Sequence, residues 1–166
     1  MTNPFGPGTD LLEQLRAIAD VLVPVLREFR HELGAERADA IAARGLAAWR
    51  RGLAGVATDR VVGAPRDCWE KTMAESLETV DGTVDVSNLT EERDALRFTV
   101  TGCRVAEFFH SIGEPALGFE LGCAHDITQV EALGRGEVRL DRRGTLMTGA
   151  PACDFAYRFA VSEAPE

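Results

Sequence analysis

From Leu11 to Phe29 the chain places apolar side chains at three- and four-residue steps: Leu11, Leu12, Leu15, Ile18, Ala19, Leu22, Leu26 and Phe29. That spacing lines one stripe of an α-helix. The helix is predicted to run to about Leu33 and to stop at Gly34, a residue type suited to helix C-termini. Thr9 or Asp10 is placed to cap its start, with Glu13 as the second half of a capping box. Pro24 lacks an N–H and is expected to kink the helix or split it in two. An alanine-rich stretch from about Glu36 to Leu53 carries Ile41, Leu46, Trp49 and Leu53 as its larger apolar members. It predicts a second helix, and small alanines let the two helices approach closely as a hairpin. Gly63 and Pro65 mark a loop, and 66–79 reads as a third helix or an irregular lead into a sheet.

Past Gly82 the period changes from helical to alternating. Thr83 to Val86 and Leu96 to Val100 predict two antiparallel strands, joined by the polar stretch Ser87 to Asp94. Cys103 to Ile112 returns to helical spacing, with Val105, Phe108, Phe109 and Ile112 on one face and Gly113 as its stop. A longer helix is predicted from Pro115, suited to a first turn, to about Leu133. Two strands close the chain: Glu137 to Asp141, and Asp154 to Val161 with Phe155, Tyr157, Phe159 and Val161 on one face. This order predicts an α+β fold: a helical hairpin and further helices on one face of an antiparallel sheet of about four strands. Residues 1–9, with two prolines and two glycines, read as a flexible tail ahead of a single domain spanning 10–166.

Composition narrows the function classes. Acidic residues outnumber basic ones 27 to 18, a net charge of -9, which argues against a nucleic-acid partner because phosphate backbones select basic faces. No apolar run approaches the ~20 residues of a membrane span, and the N-terminus lacks the features of a signal peptide. A cytoplasmic protein with no membrane partner is expected. The four cysteines, Cys68, Cys103, Cys123 and Cys153, form no CxxC pair, and the three histidines are scattered. Thiols are expected in a reducing compartment, with no zinc site of ordinary spacing. No metal and no cofactor are expected.

From Cys103 to Phe159 an ordered series of motifs stands out. Cys103-Arg-Val-Ala-Glu107-Phe-Phe-His110 is followed by Gly113-Glu114-Pro115-Ala-Leu117-Gly118 and by Cys123-Ala-His125-Asp126. Arg143-Gly-Thr145-Leu-Met147-Thr-Gly149 and Cys153-Asp154-Phe155-Ala-Tyr157 complete it. This series resembles the L-2-amino-thiazoline-4-carboxylate hydrolase family. It departs from that pattern at Ala116, where the family's turn usually has Glu, and at Ala152, where some relatives have His. The resemblance implies hydrolytic opening of a C–N bond in a small cyclic amidine-like heterocycle, such as a 2-amino-thiazoline carboxylate giving an N-carbamoyl-cysteine. An alternative is a non-catalytic sensor or accessory domain of the vinyl-reductase type, which shares the layout and holds a small ligand. A homodimer through the helical half is compatible with either.

Ring opening of this kind needs a nucleophile, a group that moves protons and an orienting contact. With the motif in view, Cys153 is the candidate nucleophile, and Asp126 and Asp154 are the candidate acid–base carboxylates. Adjacent strand residues point to opposite faces, so Cys153 and Asp154 share a pocket only if the backbone bends near Pro151. Cys123 and Asp126 lie three apart on one helical face, and Cys103 and Glu107 repeat the arrangement one helix earlier. His110 and His125 are of the residue type whose unperturbed pKa lies close to neutrality, and His125, beside Asp126, is the better candidate. Arg143 is a candidate for a substrate carboxylate, and Thr145 belongs to a loop that approaches the ligand. Against each stands a bland alternative: small buried thiols, solvated charges and capping groups.

Overall fold

The structure is a computed structural model that describes residues 10–58, 66–67, 69–71, 73, 80 and 82–160. The N-terminal tail, Cys68 and most of 66–79 lie outside the described residues; within that stretch 66, 67, 69–71 and 73 are helical.

Helix α1 covers Leu11–Leu33 and is capped by Asp10, whose carboxylate accepts from the Glu13 N–H at 2.7 Å. Its buried side is Leu12, Leu15, Ala19, Val23 and Leu26, and it ends at Gly34 with φ 81°. Pro24 neither ends nor divides it. That residue is exposed, so water can serve the carbonyl one turn back that a proline cannot satisfy. Helix α2, Ala35–Thr58, packs back against α1 and completes the predicted hairpin.

The sheet has four antiparallel strands in the order β1-β2-β4-β3. Strand β1 is Val84–Glu91, β2 is Ala95–Cys103, β3 is Val138–Arg142 and β4 is Cys153–Phe159. β1 runs further into the polar stretch than alternation predicts, because backbone pairing with β2 continues to Glu91↔Leu96 across two register shifts. An edge strand needs no buried side chains to pair, so its polar end carries no apolar signal. Between β2 and β3 come α3, Arg104–Ser111, then α4, Pro115–Gly118, and α5, Ala124–Gly134. A π-helical segment, Phe119–Cys123, joins α4 to α5. The single helix predicted from Pro115 is thus interrupted in its hydrogen bonding, which hydrophobic spacing does not reveal.

Two apolar clusters form the core. One joins Leu12, Leu15, Ala19 and Val23 of α1 to Val105, Ala106, Phe109, Leu117, Leu121 and Met147. The other covers the inner face of the sheet with Trp69, Phe98, Val100, Val130, Val138, Cys153, Tyr157 and Phe159. Trp69 lies tilted against Tyr157 at 4.5 Å and edge-to-face with Phe159 at 5.2 Å, ring centre to ring centre. Cys103 and Leu146 pack against both clusters, so the two cores meet there.

The Gly113–Gly118 turn explains itself physically. Glu114, only 4% exposed, receives Arg30 Nη1 on both carboxylate oxygens at 2.8 Å, while Arg30 Nε serves Asp39 of α2 at 2.7 Å. One guanidinium therefore ties α1, α2 and the start of α4 together. At Gly118 a Cβ atom would fall 2.5 Å from Phe109 Cγ and 2.7 Å from Met147 Sδ. Both neighbours are fully buried, so neither can retreat cheaply. Gly118→Ala is expected to destabilise the fold by about 2 kcal/mol through overpacking, measured as a lowered urea midpoint at unchanged slope.

Candidate active site

The sequence brings its chemistry together where the two cores meet, because each contributing element ends there. Cys103 is the last residue of β2 and the N-cap of α3, its Sγ accepting from the Ala106 N–H at 3.4 Å. Cys123 closes the π segment, and Asp126 sits in the first turn of α5. Cys153 opens β4, and its Sγ accepts from the Leu146 N–H at 3.1 Å. The Leu146 amide is presented by a 3₁₀ turn, Leu146–Thr148, held by a capping box between Thr145 and Thr148.

The member that binds these pieces together is Arg142 at the end of β3. Its Nη1 donates to Asp126 Oδ2 at 2.6 Å and its Nη2 to the Cys123 carbonyl at 2.9 Å. Its side chain is 5% exposed, and its guanidinium carbon lies 5.1 Å from the centre of the Phe155 ring. Register explains the placement. Leu140 pairs with Tyr157 and Arg142 with Phe155, and directly paired residues share a face of an antiparallel sheet. Val138, Leu140 and Arg142 therefore all face inward.

Burial sets the electrostatics. It pushes the Asp126 carboxyl up to about 6, outweighing the downward pull of Arg142, although a third of the side chain still meets solvent. It pushes the Cys123 thiol up to about 12, against the pull of Arg142. Cys103 and Cys153 are raised by burial too, each partly offset by the backbone N–H groups that reach its sulfur. Cys123 and Cys153 each respond to Cys103, Asp126 and Arg142, and Tyr157 is raised by burial and then by Asp126. Arg142 thus acts on Asp126, on the Cys123 and Cys153 thiols and on Tyr157. Among the described residues no group of three or more His, Cys, Asp or Glu is placed to hold a metal ion.

Other residues singled out in the sequence fall elsewhere. Asp154 is exposed on the outer face of the sheet, accepting from Thr99 Oγ1 at 3.1 Å. β4 is regular from its first residue, pairing Val100↔Cys153 and Thr99↔Asp154, so strand alternation separates the two side chains and Pro151 does not bring them together. Glu107 and Arg143 are exposed. The inward arginine is Arg142, whose signal was its two-residue spacing from Leu140. Thr145 is 2% exposed and spends its hydroxyl on the turn, so it positions the Leu146 amide rather than facing a pocket. His110, exposed, lies 3.2 Å from the Leu146 carbonyl and lines a surface groove of about 470 Å³ with Phe119, Glu120 and Met147. His125 projects from α5 toward α2, where it lines a recess of about 220 Å³; its imidazole pKa is lowered by burial and by Arg50. Neither hollow is lined by the cysteines.

The sequence profile of L-2-amino-thiazoline-4-carboxylic acid hydrolases matches residues 14–157. The chain belongs to this hydrolase family. The match extends far beyond the Cys103–Phe159 motifs and takes in the helical hairpin. Among curated proteins, none matches the sequence. Among solved structures, this hydrolase-family chain is similar to the crystal structure of the phenol-responsive sensory domain of the transcription activator PoxR with phenol. The TM-score is 0.47 and the identity 18%, covering 83% of this chain and 72% of that one, a likeness too distant to bear on function. No helix among the described residues is long and apolar enough to cross a membrane.

Proposed function

We propose that this chain opens a small cyclic amidine-like heterocycle by hydrolysis, with Cys153 as nucleophile and Asp126 as the group that moves the proton. The observation that carries this reading is a part-buried Asp126 held by Arg142, together with a Cys153 whose sulfur is reached by the Leu146 N–H, in a chain whose family is named for such a hydrolysis.

The Cys153 thiol is raised by burial, so at rest it holds its proton and needs a base to become a nucleophile. Asp126, with a pKa near 6, is a carboxylate at pH 7–8 and suits that task. In a ring-protonated amidine the central carbon is the electrophile. Sulfur adds there, the ring bond breaks, and water then displaces the sulfur, which recovers its proton. An N-carbamoyl product keeps the ring nitrogen on that carbon. For a thiazoline, atom balance therefore places the break at the carbon–sulfur bond, not at the C–N bond that the resemblance suggests. Asp154, on the outer face, takes no part.

The test is to incubate the purified protein with L-2-amino-thiazoline-4-carboxylate and follow the gain of one water by mass, with Cys153→Ala alongside. Turnover in the parent and its loss in the variant are expected. A fully active variant would remove the nucleophile role, and an inert parent would remove this substrate. The rate is expected to rise with pH through about 6, as Asp126 gives up its proton. Asp126→Asn should lose that limb and ~10²–10⁴ of the rate.

One observation favours a second reading, non-catalytic binding of a small ligand: burial raises all three described thiols. Turnover separates the two: ring opening that is lost in Cys153→Ala supports the hydrolase, and saturable binding of the thiazoline without turnover supports the binding domain.

A further inference from the structure

Six of the nine large apolar side chains left exposed among the described residues stand on the α1–α2 hairpin. Val21, Val25, Phe29 and Leu33 form a four-residue-spaced row on α1, and Ile41 and Trp49 belong to α2. Single exposed apolar residues need no explanation, whereas a contiguous row marks a surface made to be covered. The bond from Arg30 to Asp39 sets how the two antiparallel helices lie beside each other. Val21, nine residues before Arg30, is level with Ala48, nine after Asp39, and so one residue from Trp49. Phe29 is level with Ala40 and one residue from Ile41. The two apolar sets therefore occupy the same length of the hairpin.

Charge says which partner fits. Asp20, Glu28 and Glu32 are exposed on α1. The exposed arginines of that helix turn toward α3, Arg16 over the Phe108 ring and Arg27 to the Ile112 carbonyl. On α2, Arg37, Arg44 and Arg51 recur at seven-residue steps, all exposed, and no acid follows Asp39. Among the described residues none of these three arginines is in an ion pair. In the hairpin's register Glu32 is level with Arg37. Asp20 is two residues from level with Arg51, and Glu28 three from level with Arg44, offsets of about 3 and 4.5 Å along the axis. A two-fold axis running along the helices keeps this register and sets α1 of one protomer on α2 of its partner. Acidic row then meets basic row twice, whereas α1 on α1 would set acids against acids. Area agrees. The 23 residues of α1 give a face about 34 Å long, and two helices side by side make it ~20 Å wide. That is on the order of 700 Å² per protomer, near the ~800 Å² that each partner gives to a stable interface.

We propose that the chain is a homodimer in which the outer face of the α1–α2 hairpin packs on the same face of a second copy, α1 against the partner's α2, as a four-helix bundle. Val21, Val25, Phe29 and Trp49 form its apolar centre, and the acids of α1 and arginines of α2 form its rim. The dimer does not depend on the hydrolase reading.

Sedimentation equilibrium of the full chain at low salt should return twice the 18.0 kDa of one chain. Val25→Glu places a charge in the middle of the row. Because Val25 is 45% exposed, the protomer should keep its fold, seen as an unchanged circular-dichroism spectrum. Dimerisation should weaken at least about a hundredfold, since the new carboxylate would be buried without a partner. Arg44→Glu and Glu28→Arg should each weaken it about tenfold, by setting like charges across both copies of the contact. Mixed in equal amounts, these two single variants should recover the parent affinity, because every charge then faces its opposite. A monomer throughout the micromolar range overturns the proposal, as does a dimer indifferent to Val25→Glu. A mixture that associates no more tightly than the single variants also overturns it, because α1 then does not meet the partner's α2.

Discussion

Replacing Arg30 by methionine is expected to destabilise the fold by about 3 kcal/mol, because it strands the Glu114 carboxylate inside the protein. Glu114 is 4% exposed and receives both of its 2.8 Å hydrogen bonds from this one guanidinium. Arg27, 3.6 Å away and 60% exposed, is the remaining positive neighbour and is too solvated to take over. The reverse change, Glu114→Gln, should cost clearly less. Arg30 would keep Asp39 at 2.7 Å, and its own side chain is 24% exposed and can be hydrated. Urea denaturation of the two variants side by side measures the asymmetry. Equal losses would show that the energy lies in the pair's mutual attraction and not in the stranded charge. Arg30 also holds Glu114, at the start of α4, to α1 and α2, so the arginine variant should also loosen the Gly113–Gly118 turn.

The second large effect concerns Arg142. Arg142→Gln removes both the charge and the hydrogen bond that hold the Asp126 carboxyl down, leaving burial to push it further up. On the proposed mechanism the rise of rate with pH should then move above its parent midpoint of about 6. Turnover at pH 7 should fall ~10²-fold, as expected when a catalytic group loses its positioning. Arg142→Lys should restore part of the pH shift, since it restores the charge. It should restore less of the rate, since one ammonium does not reproduce the two bonds to Asp126 and to the Cys123 carbonyl. A purely structural role for Arg142 would lower stability and leave the pH profile of the surviving activity in place. The pH–rate profile is therefore the measurement that decides.

The two expectations rest on parts of the chain that differ in how openly the sequence shows them. The α1 stripe, the Asp10 cap, the stop at Gly34 and the alternation of β4 were all legible, because each is a local pattern repeated over several residues. The family match, residues 14–157, agrees with motifs visible from Cys103 onward. Single positions were less legible. Arg143 attracted attention because it sits beside a glycine and opens a motif. Its neighbour Arg142 is the inward residue, because β3 pairs Arg142 with Phe155 and so fixes which face each residue takes. The reach of β1 to Glu91 and the π segment Phe119–Cys123 left no trace in the hydrophobic pattern, since backbone pairing alone decides both.

Asp154 and His125 mark the same boundary from the other side. Each stands next to a residue of the cluster in sequence, and each is turned away from it, Asp154 by strand alternation and His125 by the turn of α5 toward α2. By itself the sequence determined the elements, the α+β class and the residue types available for chemistry, because these follow from local periodicity and composition. Tertiary structure alone decided the contacts between distant elements: Arg142 of β3 holds Asp126 of α5 and the Cys123 carbonyl, and Cys153 of β4 takes the Leu146 amide. It also decided the ionisation of these groups, since burial where the two cores join sets the Asp126 carboxyl and the thiols, and no local pattern encodes burial from all sides.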